Sequence, residues 1–160
     1  MDIPNLLDAV RIVKENERLA ADTYANAAKK VNPLGKDLFI QLSAFEQFHY
    51  EKLTALEKSL EESGKFIHYE GKALILPPTL EIKFAEMPEH RSLMDIITEA
   101  KKIEVIAEKT YSDLAEHLDD PDGHAMFVRL SQEEHNHYLI LSDAYWNLNQ
   151  NTVWKYTRPA

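Results

Sequence analysis

The sequence contains two copies of the pattern Glu-x-x-His, each of which offers one carboxylate and one imidazole to a metal ion. Glu46 and His49 form the first copy, and Glu134 and His137 form the second copy 88 positions later. Residues three positions apart lie on the same face of a helix, so each pair can bind one metal ion from a single helix. Carboxylate oxygen together with imidazole nitrogen suits iron or manganese.

A second repeated pattern places a tyrosine seven positions after a glutamate. Tyr24 follows Glu17 in this way, and 87 positions further along the chain Tyr111 follows Glu104. Seven residues make about two helical turns, so each tyrosine is predicted to lie on the stripe of its glutamate, about 10 Å further along. The tyrosines are either buried rings with satisfied hydroxyl groups or candidate catalytic residues with a redox or hydrogen-bonding role.

The two patterns have nearly the same offset, so the two halves of the chain repeat each other. Segment 42–50, LSAFEQFHY, aligns with segment 130–138, LSQEEHNHY. A duplicated helical hairpin without metal would give no reason for glutamate and histidine at the same core-facing positions in both halves. Two divalent ions would also balance four buried carboxylates, which are otherwise costly to bury. The sequence therefore predicts a site for two metal ions with six ligands: Glu17, Glu46, His49, Glu104, Glu134 and His137.

Four long helices are predicted to position these side chains, because apolar residues recur at helical spacing in four stretches. The predicted helices cover about residues 5–31, 34–63, 92–118 and 121–149. Between the second and third helices lies a crossover, 65–91, whose residues 73–76 are typical of a β-strand. Its length, about 90 Å if fully extended, suffices to return along a helix of about 45 Å. We therefore expect an all-α fold in a single domain over residues 1–160, a four-helix bundle of two helical hairpins joined by a long crossover.

The composition excludes several other classes of protein. The chain has no cysteine, which excludes disulfides, thiolate metal sites and cysteine nucleophiles. The formal net charge of -9 argues against binding to duplex nucleic acid. No apolar run reaches the roughly 20 residues of a membrane span, and the N-terminus lacks the basic region of a secretory signal. A cytoplasmic protein without a membrane or nucleic-acid partner is expected.

Other polar and aromatic residues are predicted to lie outside the site. Five histidines are predicted at the surface: His68, His90, His117, His124 and His135. Glu51 and Glu133 are predicted to be solvated, and Tyr50 and Tyr138 are predicted to pack in the core or at an interface. The aromatic tail, 150–160, is expected to pack against the bundle or against a partner chain.

At these residues and spacings the chain resembles the ferritin-like di-iron carboxylate superfamily, and within it the rubrerythrin-like branch. The resemblance spans residues 5–149. It implies that two iron ions are bridged by Glu46 and Glu134, with manganese as the alternative metal. It further implies roles for the remaining residues: terminal ligands Glu17 and Glu104, one histidine for each metal (His49 and His137), and tyrosines close to the centre (Tyr24 and Tyr111).

Two departures from the rubrerythrin pattern matter for function. Full rubrerythrins carry a rubredoxin domain whose four cysteines are needed to supply electrons to the di-iron site, and this chain has no cysteine. The resemblance therefore implies an external electron donor such as a rubredoxin-like protein. Classical rubrerythrins also have an additional carboxylate ligand on the third helix, but Ala107 stands three positions after Glu104. Glu108 is the nearest substitute and is interpreted as a solvated charge. The six-residue set is therefore similar to that of bacterioferritins and ferroxidases.

Three functions are compatible with this resemblance. The first is an oxidoreductase that reduces hydrogen peroxide or dioxygen at a carboxylate-bridged di-iron centre. The alternative is a ferroxidase or iron-storage protein, although the tail with Pro159 is a poor candidate for the fifth helix of a ferritin cage. The third is a substrate hydroxylase, which would need a pocket beside the metals. Surface apolar residues and the aromatic tail favour a homo-oligomer, most simply a dimer.

Overall fold

Four long helices account for most of the chain. A computed structural model describes residues 3–31, 33–74, 79–83, 90–151 and 153–157. The helices are α1 (Ile3–Lys30), α2 (Pro33–Ser63), α3 (His90–Glu116) and α4 (Pro121–Asn151). Each boundary lies within two residues of its predicted position, which confirms the four-helix bundle. No helix among the described residues is long and apolar enough to cross a bilayer.

Two helix ends show local signals in the sequence. Gly64 follows α2 with φ of 68°, a conformation that favours glycine, and its N–H donates to the carbonyl of Leu60 at 3.0 Å. Asp120 precedes α4, and its Oδ1 accepts hydrogen bonds from the backbone N–H groups of Asp122 and Gly123 at 2.9 and 3.0 Å. These contacts satisfy backbone groups that have no partner inside the helix.

The helices pack as two hairpins, α1 with α2 and α3 with α4, and the same hydrogen bond joins the helices of each hairpin. The Ser43 hydroxyl donates to the carbonyl of Ala21 at 2.7 Å in the first hairpin. In the second hairpin the Ser131 hydroxyl donates to the carbonyl of Glu108 at 3.0 Å. These serines occupy equivalent positions of the sequence repeat, so the repeat extends to the packing of the helices.

The hairpins are arranged so that α2 and α3 run in the same direction. Tyr24 of α1 contacts Glu104 of α3, whereas Tyr111 contacts Glu17, so α1 and α3 are antiparallel. Because α1 is also antiparallel to α2, the connection from α2 to α3 must return along the length of the bundle. This requirement explains why the connection is long.

The apolar core forms two clusters, one towards each end of the bundle. One cluster contains Tyr24, Phe39, Ile97 and Leu141, and the other contains Val10, Leu56, Tyr111 and Phe127. In every helix the predicted metal ligands fall between the residues of the two clusters in sequence. The ligands therefore form a polar layer across the middle of the bundle, with apolar packing on both sides.

The crossover and the tail form a two-stranded antiparallel ribbon that the sequence analysis did not predict. Strand β1 (Thr79–Lys83) pairs with β2 (Val153–Thr157), and Thr79 lies opposite Thr157. The tail was expected to pack on the bundle or on a partner chain; its strand β2 pairs with the crossover and also contacts α4. The predicted β-type run is wrong at residues 73–74, which form no strand, and residues 75–76 lie outside the described residues.

Candidate metal centre

All six predicted ligands lie together in the polar layer, and none is more than 4% exposed. They form two groups of four residues, and the ligand atoms of each group lie within 4.8 Å of one another. The His49 group consists of Glu17, Glu46, His49 and Glu134, and the His137 group consists of Glu46, Glu104, Glu134 and His137. Glu46 and Glu134 belong to both groups. We call the six residues together the carboxylate–histidine cluster.

Both histidines turn the same ring nitrogen towards the carboxylates. His49 Nδ1 lies 2.8 Å from Glu134 Oε1 and 3.1 Å from Glu46 Oε2. His137 Nδ1 lies 3.3 Å from Glu46 Oε1 and 3.5 Å from Glu104 Oε2. Nδ1 is therefore the nitrogen that each histidine presents to the centre of the cluster.

The cluster fits metal ions because several of its buried polar atoms lack hydrogen-bond partners. Within the described part of the chain, three such atoms are Glu46 Oε1, Glu104 Oε2 and His137 Nδ1. Buried polar atoms are almost always satisfied, so orphaned atoms that face one another indicate a missing partner. Each group offers three carboxylates and one imidazole, and these donors can hold a divalent cation.

Burial and mutual repulsion change the protonation of the two shared carboxylates. Burial, together with repulsion from Glu17 and Glu104, raises the pKa of Glu46 to about 8. Burial and the neighbouring carboxylates also raise the pKa of Glu134 well above its usual range. Without metal, Glu46 therefore retains its proton at neutral pH.

Glu17 and Glu104, which each belong to only one of the two groups, have lowered pKa values instead. Burial alone would raise the pKa of Glu104, but a hydrogen bond with Glu134 and the attraction of His137 lower it to about 2. Burial is likewise outweighed for Glu17, whose pKa is lowered by attraction to His49. These glutamates remain charged in the metal-free cluster.

Both histidines are stabilised in their protonated form when no metal is bound. Burial alone would lower the pKa of His49, but the attraction of Glu134 and Glu17 raises it well above its usual value. Burial is outweighed in the same way for His137, whose pKa is raised by Glu104. In the metal-free cluster, the protons on the two histidines thus supply positive charge that bound cations would otherwise supply.

The two tyrosines connect the halves of the site. Tyr24 is 1% exposed and donates a hydrogen bond to Glu104 Oε1 at 2.6 Å, and the equally buried Tyr111 donates to Glu17 Oε1. Each tyrosine therefore contacts the glutamate of the opposite half. Burial, followed by repulsion from these carboxylates, raises both tyrosine pKa values, so both hydroxyl groups remain donors. Their predicted redox role stays a prediction.

Glu133 contacts the cluster, which the sequence pattern did not predict. It was predicted to be solvated, but it is only 2% exposed. Its Oε2 accepts hydrogen bonds from His49 Nε2 at 3.0 Å and from the Tyr69 hydroxyl at 2.5 Å, and its Oε1 accepts from the backbone N–H of Lys72 at 2.5 Å. The sequence repeat could have indicated the burial of Glu133, because Glu133 aligns with Phe45, which is buried.

The remaining predictions for residues outside the site are mostly confirmed. Four histidines and one glutamate are exposed as predicted: His68, His117, His124, His135 and Glu51. The side chain of His90 lies outside the described residues, and Tyr50 and Tyr138 are partly buried. Glu108 is turned towards His135, whose Nδ1 lies 3.2 Å from Glu108 Oε2. Glu108 therefore does not supply the additional carboxylate.

A cavity of about 320 Å³ lies between α1 and α3 and reaches the cluster. Its walls are mainly apolar and include Leu19, Ala20, Ile106 and Ala107. Three glutamates of the cluster also line it: Glu17, Glu46 and Glu134. A small molecule in this cavity would meet the carboxylate side of the cluster.

No protein-family model, curated protein or solved structure matches the chain. Fold and site together define a four-helix bundle whose buried glutamate and histidine side chains are arranged in two groups that could each hold a metal ion. Its function is therefore inferred from the geometry of this cluster.

Proposed function

We propose that this protein is a di-iron oxidoreductase of the rubrerythrin type, which reduces hydrogen peroxide or dioxygen with electrons from an external donor. The main support is that Glu46 and Glu134 each belong to both four-residue groups, as expected of carboxylates that bridge two metals. Two ferrous ions held by the carboxylate–histidine cluster would supply the two electrons that, with two protons, convert hydrogen peroxide to two water molecules.

The chain's own residues hold and orient the ligands. Tyr24 and Tyr111 each donate a hydrogen bond to one of the non-shared glutamates, which limits the rotation of these carboxylates. Phe45 packs edge-on against both ligand histidines, with ring centroids 4.9 Å from His49 and 4.4 Å from His137. The apolar packing on both sides of the cluster lowers the local polarity and strengthens its electrostatic interactions.

The connectivity of the bundle supports the ferritin-like part of the proposal. Two antiparallel hairpins are joined by a long connection between helices that run in the same direction, and ligands come from all four helices. This is the arrangement of ferritin-like di-iron carboxylate proteins, in which two helices each contribute a glutamate and two contribute Glu-x-x-His. The electron donor is proposed to be a separate rubredoxin-like protein, and the chain is proposed to form a homodimer.

The test is to load the metal-free protein anaerobically with two ferrous ions per chain and then add hydrogen peroxide or dioxygen. We expect stoichiometric oxidation of the ferrous ions, measured by the ultraviolet absorption of ferric ion. Repeated turnover is expected once a rubredoxin-like donor is supplied. Iron that binds but stays ferrous in the presence of both oxidants would contradict the proposal.

The cavity between α1 and α3 is the proposed route of the oxidant. Replacing Ala107 by phenylalanine fills the cavity, so we expect oxidation of bound ferrous iron to slow about tenfold, which is about 1.4 kcal/mol of barrier. Metal affinity should stay unchanged, because Ala107 offers no ligand atom. Stopped-flow absorption measures the rate.

The matched control for this variant is Ala55→Phe, which adds the same ring to an exposed position of α2. It should oxidise iron at the parent rate. Equal rates for Ala107→Phe and Ala55→Phe would show that the oxidant enters elsewhere.

A second candidate function is a ferroxidase that supplies iron for storage, with ferrous iron as the substrate. Glu108 contacts His135 and belongs to neither group of the cluster. The six remaining residues form a symmetric set similar to that of ferroxidases, which favours this function. Size-exclusion chromatography and iron loading separate the two functions. A dimer that binds two irons per chain supports the oxidoreductase, whereas a closed particle of about 24 chains that continues to take up iron supports storage.

A further inference from the structure

The two histidines of the cluster have different partners on the side facing away from the carboxylates. His49 presents Nδ1 to the cluster, and its Nε2 lies 3.0 Å from Glu133 Oε2. A histidine that binds a metal through Nδ1 carries a proton on Nε2, so this contact becomes a hydrogen bond from the imidazole to a buried carboxylate. Such a bond fixes the tautomer and the ring orientation and makes the imidazole a stronger ligand.

Among the described residues, His137 has no such partner, although it occupies the equivalent position of the repeat. The residue that corresponds to Glu133 in the first half is Phe45, which packs edge-on against His137 with an interplanar angle of 86°. Within the described residues, His137 Nε2 is buried and makes no hydrogen bond. The substitution of glutamate for phenylalanine therefore breaks the approximate symmetry of the site.

We propose that Glu133 makes the two metal positions unequal, so that the His49 group binds a divalent cation more tightly and fills first. Glu133 is a positioning residue in this proposal, because it acts through His49. The inference rests on the two-metal centre proposed above and adds an order of filling to it.

Glu133 is itself held in place by the connection between α2 and α3. Tyr69 and the backbone N–H of Lys72 both donate to its carboxylate, each at 2.5 Å. Gly71 permits this close approach, since it has φ of 78° and a side chain there would overlap Arg129 and Glu133. The connection thus fixes the Glu133 carboxylate against His49 rather than leaving it free to turn to solvent.

The test is a titration of the metal-free chain with cobalt(II), monitored by calorimetry and by the visible absorption of the bound ion. The parent should bind two ions in two steps of unequal affinity. Glu133→Gln keeps the size of the side chain but removes its charge, and should weaken the tighter step about 10- to 100-fold while leaving the weaker step in place. Glu51→Gln is the matched control, because it makes the same substitution at an exposed glutamate of α2, so it should leave both steps unchanged.

A second pair of variants assigns the steps without changing Glu133. His49→Ala should remove the tighter step, and His137→Ala should remove the weaker one. The proposal is overturned if His137→Ala removes the tighter step or if Glu133→Gln titrates like the parent. Two ions bound with equal affinity by the parent overturn the inequality but leave the two-metal centre, whereas a parent that binds no metal overturns both.

Discussion

Replacing Glu46 by alanine is expected to abolish the binding of two metal ions. Glu46 belongs to both groups, so its loss reduces the carboxylates around each position from three to two. It is 1% exposed and lies within a buried layer, so no solvent-exposed carboxylate can take its place. We expect fewer than two ferrous ions per chain and oxidation by peroxide slowed at least about 100-fold, which is about 2.7 kcal/mol of barrier. Equilibrium dialysis measures the metal content, and stopped-flow absorption measures the rate.

The matched control is Glu51→Ala, which removes an exposed glutamate from the same helix. It should bind two ions and react like the parent. Circular dichroism of both metal-free variants checks that the helices form. Oxidation of iron by Glu46→Ala at the parent rate would show that the assigned cluster is not the reactive site.

Metal affinity is expected to rise steeply with pH between pH 6 and pH 8. The pKa of Glu46 is raised to about 8, so its carboxyl group holds a proton that metal must displace, and the pKa of Glu134 is raised in the same direction. The raised pKa values of His49 and His137 act in the same direction. Each proton released strengthens binding by up to about tenfold per pH unit, so the release of two protons strengthens it by up to about 100-fold per pH unit.

Calorimetric titrations in buffers with different ionisation enthalpies measure both the affinity and the number of protons released. For Glu46 the gain should level off above pH 8, where its carboxyl group is already ionised in the metal-free chain. A cobalt(II) affinity that stays constant from pH 6 to pH 8 would show that Glu46 is not protonated before metal binds.

The stability of the metal-free chain is expected to change in the opposite direction. The unfolded carboxyl group of Glu46 titrates near 4.5 and the folded group near 8, so the folded state binds more protons between these values. Stability from such a group is fully present below its unfolded pKa and is lost as pH rises through its folded pKa. The metal-free protein should therefore unfold at a lower temperature at pH 8 than at pH 6. A higher unfolding temperature at pH 8 would contradict the assigned protonation.

The sequence alone predicted the helices and the six residues of the carboxylate–histidine cluster. Apolar periodicity is a local property, so it located every helix end to within two residues. The predicted ligands followed from repetition, since Glu46 and His49 recur in register as Glu134 and His137. The long connection between α2 and α3 also followed from chain length, because helices that run in the same direction cannot be joined by a short loop.

Only the tertiary structure decided which residues surround the ligands. Glu133 has a solvent-exposed histidine two positions after it and a buried ligand directly after it, so its own sequence neighbourhood does not define its burial. Its exposure depends on the packing of Tyr69 and Lys72 from the connection, 64 and 61 residues away in sequence. The pairing of Thr79–Lys83 with Val153–Thr157 is likewise a contact between distant segments.

The difference has one physical reason. Helix periodicity and ligand spacing are set by neighbours within a few turns, and both can be read along a single stretch of chain. The bond between each tyrosine and the glutamate of the opposite half, and the bond between Glu133 and His49, depend on how separate helices and the connection pack. Tertiary packing therefore made two similar half-sites of the sequence into one cluster with two different histidine environments.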